Sequence, residues 1–382
     1  MKRFPYKHIS VLIMPTDYCN MNCVYCFNGR KEYYKNKVMT LETLNKIYSI
    51  TIPYYEKVNF IWHGGEPLSM GIEFYKKAVL MQKEINKNGA IIENSIQSNL
   101  TLFDDELATF FVENNFRVGG SFDGIKNEET RHNTEKILAG RDVMIRNGGR
   151  VGFICVVQNK NINCLIDDYE WFNSRGINYT INPYLCAPPY EKDVLFVSAK
   201  QYSQKVCELF DYWFADKRCK IHISYFEEFV NYIIFGKKTL CCYNSCLGKH
   251  IGIHYNGEIY NCNRDFPLEY SFGNVYDYSD IHECFDSTGF QLLVKHAVER
   301  RNYCKEHCEI YEFCAGGCNS SALVGGDLTK ANDYVCGIIK SVYKHIKDRL
   351  TKWFYVPETE CRAELNPWVY KQLTKYKEEK TN

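Results

Sequence analysis

The stretch ISVLIMPTDYCNMNCVYC, residues 9–26, joins a short apolar run to three closely spaced cysteines. The run ISVLIM is aliphatic and β-branched, which favours a strand. The cysteine trio, defined as Cys19, Cys23 and Cys26, follows this run, and no fourth cysteine or histidine comes close behind it. Closed zinc sites and most cubane iron–sulfur clusters use four protein ligands. The trio is therefore either completed from a distant part of the chain or left open for another molecule.

The strand pattern recurs through the first half of the chain and alternates with helical patterns. Predicted strands span residues 9–14, 58–62, 91–97, 117–122, 150–157 and 177–184. Between them, apolar residues recur with helical spacing over 41–51, 71–86, 103–115, 133–147 and 163–174. Repeated strand–helix units predict an α/β fold with a parallel sheet, either a barrel or an open doubly wound sheet. Six units are fewer than the eight of a closed barrel.

The second half of the chain has a different pattern. Helices predicted over 198–216 and 224–235 lead into a loop-rich, cysteine-dense region from 241 to 336. A further helix is predicted over about 333–354, followed by a polar tail. We therefore predict a barrel domain over 1–200, a metal-organised domain over 201–354 and a C-terminal tail over 355–382.

Composition excludes several classes of function. The 47 basic and 46 acidic side chains give a net charge of +1, so the sequence has no basic excess for nucleic acid or an anionic membrane surface. It shows neither a signal peptide nor a long apolar span, and we expect a cytoplasmic protein. A reducing cytosol disfavours disulfides, so the 19 cysteines, which are clustered, indicate metal or cluster ligation.

Polar and glycine residues follow three more predicted strands. In a parallel α/β fold the carboxyl ends of the strands form the edge where ligands bind. Glycines let backbone approach a ligand closely, a carboxylate accepts hydrogen bonds from an ammonium group, and an arginine fork pairs with a carboxylate. The candidates are Gly64, Gly65 and Glu66 in WHGGEP, Gln97 and Asn99 in SIQSN, Ser121 and Asp123 in SFDG, and Arg131.

The spacing Cys-x3-Cys-x2-Cys, with Tyr25 directly before the last cysteine, resembles the signature of the radical S-adenosylmethionine (SAM) enzymes. The resemblance implies a partial (β/α)6 barrel and a [4Fe–4S] cluster held by the trio, with SAM chelating the open iron. It also implies that the WHGGEP stretch contacts the methionine amino group of SAM. The segments around Gln97, Ser121 and Arg131 would face the SAM carboxylate, the ribose and the substrate. A zinc knuckle completed by a remote ligand is the alternative.

The cysteine-dense region resembles the seven-cysteine SPASM domain of radical SAM peptide maturases, which holds two auxiliary [4Fe–4S] clusters. Carried over residue by residue, the resemblance gives cluster I Cys246, Cys262 and Cys318, and gives cluster II Cys304, Cys308, Cys314 and Cys336. The family has two residues between the first pair of the cluster II set, whereas this chain has three. Cluster I lacks an obvious fourth ligand; Cys241, Cys242 or Cys284 would complete it, or its iron is open. A cysteine-rich zinc module is the alternative.

Residues 62–124 resemble in sequence the anaerobic sulfatase-maturating enzymes, which oxidise a Cys or Ser to formylglycine. The proposed general base of that family is an Asp directly after the second SPASM cysteine, where this chain has Asn263. An amide cannot take a proton, and the nearest carboxylate is Asp265. We therefore expect oxidation of a ribosomally made peptide to a thioether or carbon–carbon cross-link, with formylglycine formation as the alternative.

The resemblance also implies a set of cofactors and partners. We expect three [4Fe–4S] clusters with SAM, a peptide or protein substrate, and an electron donor such as flavodoxin or ferredoxin. We expect a monomer that binds neither nucleic acid nor membrane. An iron–sulfur electron carrier is the alternative of another class, but it leaves the GGEP and SFDG segments without a role.

Overall fold

The computed structural model describes residues 6–27, 37–263 and 266–381, so the candidate base Asp265 lies outside the described residues. The chain forms two compact units. The first unit comprises Met1–Phe122, Thr130–Gly152 and Cys246–Ala297. The second unit comprises Asp123–Glu129, Phe153–Ser245 and Val298–Asn382. The predicted domain boundaries at residues 200 and 354 stay predictions.

The predicted α/β fold is confirmed as an unclosed partial barrel of parallel strands with surrounding helices. The strands are β1 (His8–Met14), β2 (Lys57–Trp62), β3 (Ile91–Ser98), β4 (Arg117–Ser121), β5 (Val151–Val157), β6 (Tyr179–Pro183), β7 (His250–His254) and β8 (Ile259–Tyr260). The helices are α1 (Leu41–Thr51), α2 (Ile72–Ile85), α3 (Asp105–Glu113), α4 (Asn127–Thr130), α5 (Thr134–Arg146), α6 (Leu165–Ser174), α7 (Ala199–Ala215), α8 (Ser224–Phe235), α9 (Thr288–His307), α10 (Tyr311–Cys314), α11 (Asn319–Val324), α12 (Asp333–Thr351), α13 (Glu358–Glu364) and α14 (Pro367–Thr381).

Parallel pairing in the first unit brings the candidate loops to one edge. Strand β2 lies between β1 and β3, and Trp62 is level with Ile13 on one side and with Ile96 on the other. The loops that follow β1, β2 and β3 therefore begin at nearly the same height. This register places the cysteine trio, the GGEP turn and Asn99 together at the carboxyl edge.

A short hairpin extends the sheet of the first unit on the other side of β1. Strand β7 pairs in parallel with β1, with Ile253 level with Ile13, and pairs antiparallel with β8. Gly252 admits this approach, because a Cβ there would lie 2.3 Å from the carbonyl oxygen of Cys262. The hairpin thus connects Cys246, which precedes β7, with Cys262, which follows β8.

The second half of the chain contains more regular structure than its sequence pattern indicates. The region predicted as loop-rich contains helix α9, of 20 residues. Its buried positions Phe290, Leu293, Ala297 and Arg300 recur with helical spacing, but the arginine breaks the apolar pattern. The predicted polar tail forms α13 and α14 in the second unit, where the Asn366 N–H donates to the carbonyl of Phe214 at 2.9 Å.

The second unit holds the β5–β6 pair and a helical layer. Strand β5 pairs in parallel with β6 from Phe153 to Val157. Helices α7 and α12 pack against each other, and α14 packs on α8. Among the described residues, none of the helices is long and apolar enough to span a bilayer.

Candidate functional site

The cysteine trio lies in the loop after β1, and its three thiols are close enough for the charge of one to affect the pKa of another. The Cys26 N–H donates to the Cys23 carbonyl at 3.2 Å, which closes a tight turn between them. Burial, together with the nearby negative charges of Glu66, Cys23 and Cys26, raises the pKa of the Cys19 thiol to about 12. The thiol is therefore protonated at neutral pH in the absence of metal, and binding iron must displace the proton.

The Gly64–Gly65 turn packs directly against the chain that leads into the trio. The N–H of Gly65 donates to the Thr16 carbonyl at 3.0 Å, and the N–H of Glu66 donates to the Tyr18 carbonyl at 2.7 Å. A Cβ on Gly65 would lie 2.1 Å from the Tyr18 oxygen. Gly64 has a φ of 103° and would meet Thr16 at 2.8 Å. Both glycines are therefore required by loop packing, in addition to any contact with a ligand.

Glu66 is a buried carboxylate, 1% exposed, that connects the ends of β2 and β3. One oxygen, Oε1, accepts from the Leu68 N–H at 3.0 Å and from the Ser98 hydroxyl at 2.8 Å. The other oxygen accepts from the Asn99 N–H at 2.8 Å. Burial raises its pKa, while these hydrogen bonds and the Arg131 charge oppose the rise.

Asn99 connects this network to the trio. Its side-chain amide donates to the Asn20 side chain at 2.8 Å and lies 3.9 Å from the Cys19 sulfur. Its side-chain oxygen accepts from the Thr101 N–H at 3.0 Å. The structure therefore brings Cys19, Glu66 and Asn99 together.

The other predicted strand-end residues divide between the two units. In the first unit, Gln97 donates to the Ser121 hydroxyl at 2.8 Å and to the Gly120 carbonyl at 2.9 Å. Asp123 belongs to the second unit, where its fully buried carboxylate accepts from the Val156 N–H at 2.9 Å. These contacts give Asp123 a structural role within its unit, and its role in ligand binding stays a prediction.

Arg131 and Tyr25 pack together beside the trio. Arg131 donates to the Tyr25 hydroxyl at 2.5 Å, with its guanidinium carbon 5.7 Å from the ring centre. The Cys23 sulfur lies 4.0 Å from the Arg131 carbonyl, and the Val24 N–H donates to the Thr130 carbonyl at 3.0 Å. Thr130 and Arg131, which precede α5, therefore hold the cysteine loop in place through these contacts.

Cys246 and Cys262 lie at the two ends of the β7–β8 hairpin, and each contacts an asparagine amide. The buried Asn261 donates to the Cys246 sulfur at 3.5 Å. The Cys262 thiol lies 3.2 Å from the side-chain oxygen of Asn263. The Asn263 amide nitrogen then lies 3.2 Å from Nδ1 of His63. Sequence reasoning missed His63, although it directly precedes the Gly64–Gly65 turn.

The four thiols assigned to cluster II meet in the second unit. They line one small cavity together with Ile310, Ile339 and Lys340. Because Cys304 and Cys308 are four positions apart at the end of α9, the Cys308 N–H donates to the Cys304 carbonyl at 2.9 Å, as in a helical turn. The three residues between this pair therefore lie in the last turn of α9.

Burial dominates the ionisation of these thiols. Together with the neighbouring thiols of the same set, burial raises the pKa of Cys314 to about 12 and that of Cys336 to about 11. The charge of Lys340 opposes the rise in the pKa of Cys304 and Cys336.

The fully buried Arg300 of α9 donates to the Asn319 side chain at 2.5 Å and to the Gly316 carbonyl at 2.9 Å.

The candidates for the fourth ligand of cluster I differ in their surroundings. Burial holds the pKa of Cys242 well above its ordinary value, and the next contributions come from Cys318 and Cys241. Cys284 is also buried, but the charges acting on it are those of Asp280 and Asp286. Cys242 therefore lies in a thiol neighbourhood with Cys318, whereas Cys284 lies among carboxylates of the first unit.

Within the described part of the chain, no three His, Cys, Asp or Glu side chains converge closely enough to hold a single metal ion. Zinc–thiolate bonds are about 2.3 Å long, so thiolates on one zinc lie within about 4 Å of one another.

Comparison with known proteins gives a family match for the first part of the chain. Residues 13–172 match the family model of the Radical SAM superfamily. The match begins in β1 and contains the cysteine trio, the GGEP turn and the Asn99 and Arg131 segments.

Curated relatives and a solved structure cover nearly the whole chain. A cysteine-type anaerobic sulfatase-maturating enzyme of Clostridium perfringens is 25% identical over 90% of this chain and 97% of its own length. A serine-type enzyme of Bacteroides thetaiotaomicron is 28% identical over 89% of this chain and 90% of its own length. The structure of native anSMEcpe with bound AdoMet and Cp18Cys peptide is 25% identical, with a TM-score of 0.80 over 90% of this chain and 98% of its own.

Proposed function

We propose that this chain, a radical SAM enzyme related to the anaerobic sulfatase-maturating enzymes, oxidises one residue of a bound peptide by removing two hydrogens. The predicted enzyme class is confirmed by these similarities, and a passive electron carrier does not account for them. The peptide, the number of clusters and the residue roles below are proposals.

The cysteine trio would hold the [4Fe–4S] cluster that the superfamily uses with SAM. When bound, that cluster supplies the electron that cleaves SAM to methionine and a 5′-deoxyadenosyl radical. Cys19 is already near Cys23, Cys26 and Glu66, and three thiolates leave one iron open for SAM. The site fits the group because its thiols are neighbours and its loops are held by backbone hydrogen bonds.

Glu66 and Asn99 would shape the seat of the methionine part of SAM. Glu66 fixes the Gly64–Gly65 turn to the end of β3, and Asn99 reaches from that strand end to the trio. Gln97, Ser121 and Arg131 would line the remainder of the seat, with Tyr25 supporting Arg131. Their chemistry suits a ligand that carries an ammonium group, a carboxylate and ribose hydroxyls.

We assign the four cysteines around the small cavity of the second unit to auxiliary cluster II. Cluster I would take Cys246, Cys262 and Cys318, and we assign its fourth position to Cys242. The neighbourhood of Cys242 and Cys318 supports this choice over Cys284. Three clusters of four irons would give about twelve irons per chain.

The similarities favour a peptide as the substrate. The identity of residue 263 decides which product we propose. The matching solved structure holds a peptide as well as AdoMet. Where the sulfatase maturases are expected to have a carboxylate, Asn263 presents an amide in contact with Cys262 and His63. We therefore propose a cross-linked product, formed through a thioether or a carbon–carbon bond, with electrons supplied by flavodoxin or ferredoxin.

Formylglycine formation is the second candidate. It is favoured by similarity to both the cysteine-type and the serine-type maturases over about nine-tenths of this chain. Asp265, which lies outside the described residues, would be its base.

Mass spectrometry after anaerobic incubation with SAM and a reductant distinguishes the two products. The substrates are a Cys-x-Pro-x-Arg peptide and peptides synthesised from the small open reading frames that flank the gene. We expect a flanking-frame peptide to lose two mass units through a new internal bond, and the sulfatase-type peptide to yield little aldehyde. Abundant aldehyde that is abolished by Asp265→Asn would establish the second candidate instead.

A further inference from the structure

We propose that Arg300 and Lys340 raise the reduction potential of auxiliary cluster II, so that this cluster accepts the electron released when the substrate is oxidised. This inference deepens the proposed function and rests on its assignment of four cysteines to cluster II. Two observations support it. Arg300 is fully buried and donates to a residue that lines the cavity of the four thiols, and Lys340 lines the same cavity.

Arg300 is a buried cation one helical turn from a cluster II ligand. It is 1% exposed, and it precedes Cys304 by four positions on α9. Side chains four positions apart on a helix are neighbours, with about 5–6 Å between their Cβ atoms. Because a guanidinium group is not deprotonated in proteins, this position keeps its positive charge at every physiological pH.

The guanidinium group is fixed by the loop that follows Cys314. Its Nε–H donates to the Gly316 carbonyl at 2.9 Å. Its other two nitrogens donate to the Asn319 side chain at 2.5 Å and to the Leu328 carbonyl. Gly316 itself lines the cavity of the four thiols. The hydrogen bonds therefore hold the positive charge against one wall of the cluster II cavity.

Lys340 brings a second positive charge to this cavity from α12. It follows the ligand Cys336 by four positions, so both side chains lie on one face of the helix. The lysine is exposed to solvent, whereas Arg300 is buried. Burial and a neighbouring thiol raise the pKa of Cys304, whereas the charges of Arg300 and Lys340 lower it. Both cations therefore act on a thiol of the cluster II set.

A nearby positive charge favours the reduced form of an iron–sulfur cluster. One-electron reduction makes the cluster more negative by one charge, so a cation stabilises the reduced form and raises the reduction potential. Asp333 acts on Cys336 in the opposite direction, but its effect there is smaller than that of Lys340. The substrate radical loses one electron to cluster II, and cluster II returns to its oxidised form by passing that electron to a flavodoxin- or ferredoxin-type carrier.

The test compares the reduction potential of cluster II in variants of the holoenzyme. The full chain is reconstituted with iron and sulfide under anaerobic conditions and titrated with a reductant, while electron paramagnetic resonance follows the signal that Cys336→Ala lacks. At a fixed potential, Arg300→Gln should lower the ratio of reduced to oxidised cluster II about tenfold or more. A tenfold change corresponds to about 59 mV for one electron. Arg300→Lys keeps the charge and should stay close to wild type.

Lys340→Gln is a second variant, and it removes no buried side chain. Because Lys340 is exposed, we expect a smaller decrease in the same ratio, about two- to fivefold. This decrease should shrink in about 1 M salt, whereas the effect of Arg300→Gln should persist, since buried charges are screened less. The matched controls are Lys344→Gln, one turn further along α12, and Arg349→Gln, whose side chain pairs with Asp211. Both controls should leave the ratio unchanged.

Equal midpoint potentials in wild type, Arg300→Gln and Lys340→Gln would overturn the inference and leave the proposed function intact. A decrease in Arg300→Lys as large as that in Arg300→Gln would also overturn it, because charge would not be the cause. If Arg300→Gln failed to bind iron, Lys340→Gln would decide: a lowered ratio supports the inference, and an unchanged ratio overturns it. If wild type showed no signal that Cys336→Ala lacks, the cluster II assignment would be wrong and the inference would fail with it.

Discussion

Replacing Glu66 with alanine should weaken SAM binding and loosen the candidate site. The carboxylate accepts hydrogen bonds from two buried backbone N–H groups, those of Leu68 at 3.0 Å and Asn99 at 2.8 Å, and from the Ser98 hydroxyl. A buried donor without a partner costs about 1–3 kcal/mol. The two N–H groups alone therefore predict a loss of about 2–6 kcal/mol, against a total stability of about 5–15 kcal/mol for a typical protein.

The effect of Glu66→Ala on SAM affinity is separate from its effect on the stability of the fold. A charge-assisted hydrogen bond to the SAM ammonium contributes about 1.5–3 kcal/mol, so Glu66→Ala should lower SAM affinity about 10- to 100-fold. Iron content should stay unchanged, because no cluster ligand is removed. The SAM affinity of Glu66→Gln should lie between those of wild type and Glu66→Ala. The glutamine amide keeps one oxygen acceptor but places an N–H donor opposite the Asn99 N–H.

Equilibrium binding of SAM under anaerobic conditions and thermal unfolding measure these two effects. Glu73→Ala is the matched control, because Glu73 is an exposed carboxylate on α2 paired with Lys76, and we expect neither readout to change. If Glu66→Ala bound SAM as tightly as wild type, the carboxylate would be architectural only, and our reasoning about the SAM seat would be refuted.

Three further predictions concern the clusters. Alanine at all three positions of the cysteine trio should remove about four irons and abolish 5′-deoxyadenosine formation; continued cleavage of SAM under reduction would refute the assignment of the trio. Cys336→Ala should remove about four irons and leave peptide-independent SAM cleavage in place, whereas Cys207→Ala should leave the iron content unchanged; equal iron in both variants would contradict the cluster II set. Cys242→Ala should reduce iron content or alter the electron paramagnetic resonance of cluster I, and Cys284→Ala should not; the reverse result would favour Cys284 as the ligand.

Much of the fold could be predicted because short strand-like runs alternate with stretches of helical spacing in the first half of the chain. The six predicted barrel strands agree with β1–β6 to within two residues at each end. The trio and the Gly64–Gly65 turn could be placed at one edge because parallel pairing aligns strand ends. These features depend on the local sequence pattern of each strand and on the rule that parallel strands end at the same edge of a sheet.

The features that were missed depend on burial of polar groups or on contacts distant in sequence. Arg300 occupies a core position of α9, so the apolar period of that helix is broken although the helix is intact. Strand β8 has only two residues, too few for a periodic signal. The contact between His63 and Asn263 exists because β7 pairs with β1, and no local pattern in either segment indicates it.

The most direct test of the central claim is transfer of deuterium from a peptide carbon to 5′-deoxyadenosine. The enzyme is incubated anaerobically with SAM, a reductant and fully deuterated peptides synthesised from the small open reading frames that flank the gene, and both products are analysed by mass spectrometry. We predict deuterated 5′-deoxyadenosine together with a peptide that has lost two hydrogens, and neither product from the trio variant. Unlabelled 5′-deoxyadenosine with an unchanged peptide would contradict the claim that this enzyme oxidises a peptide by hydrogen abstraction.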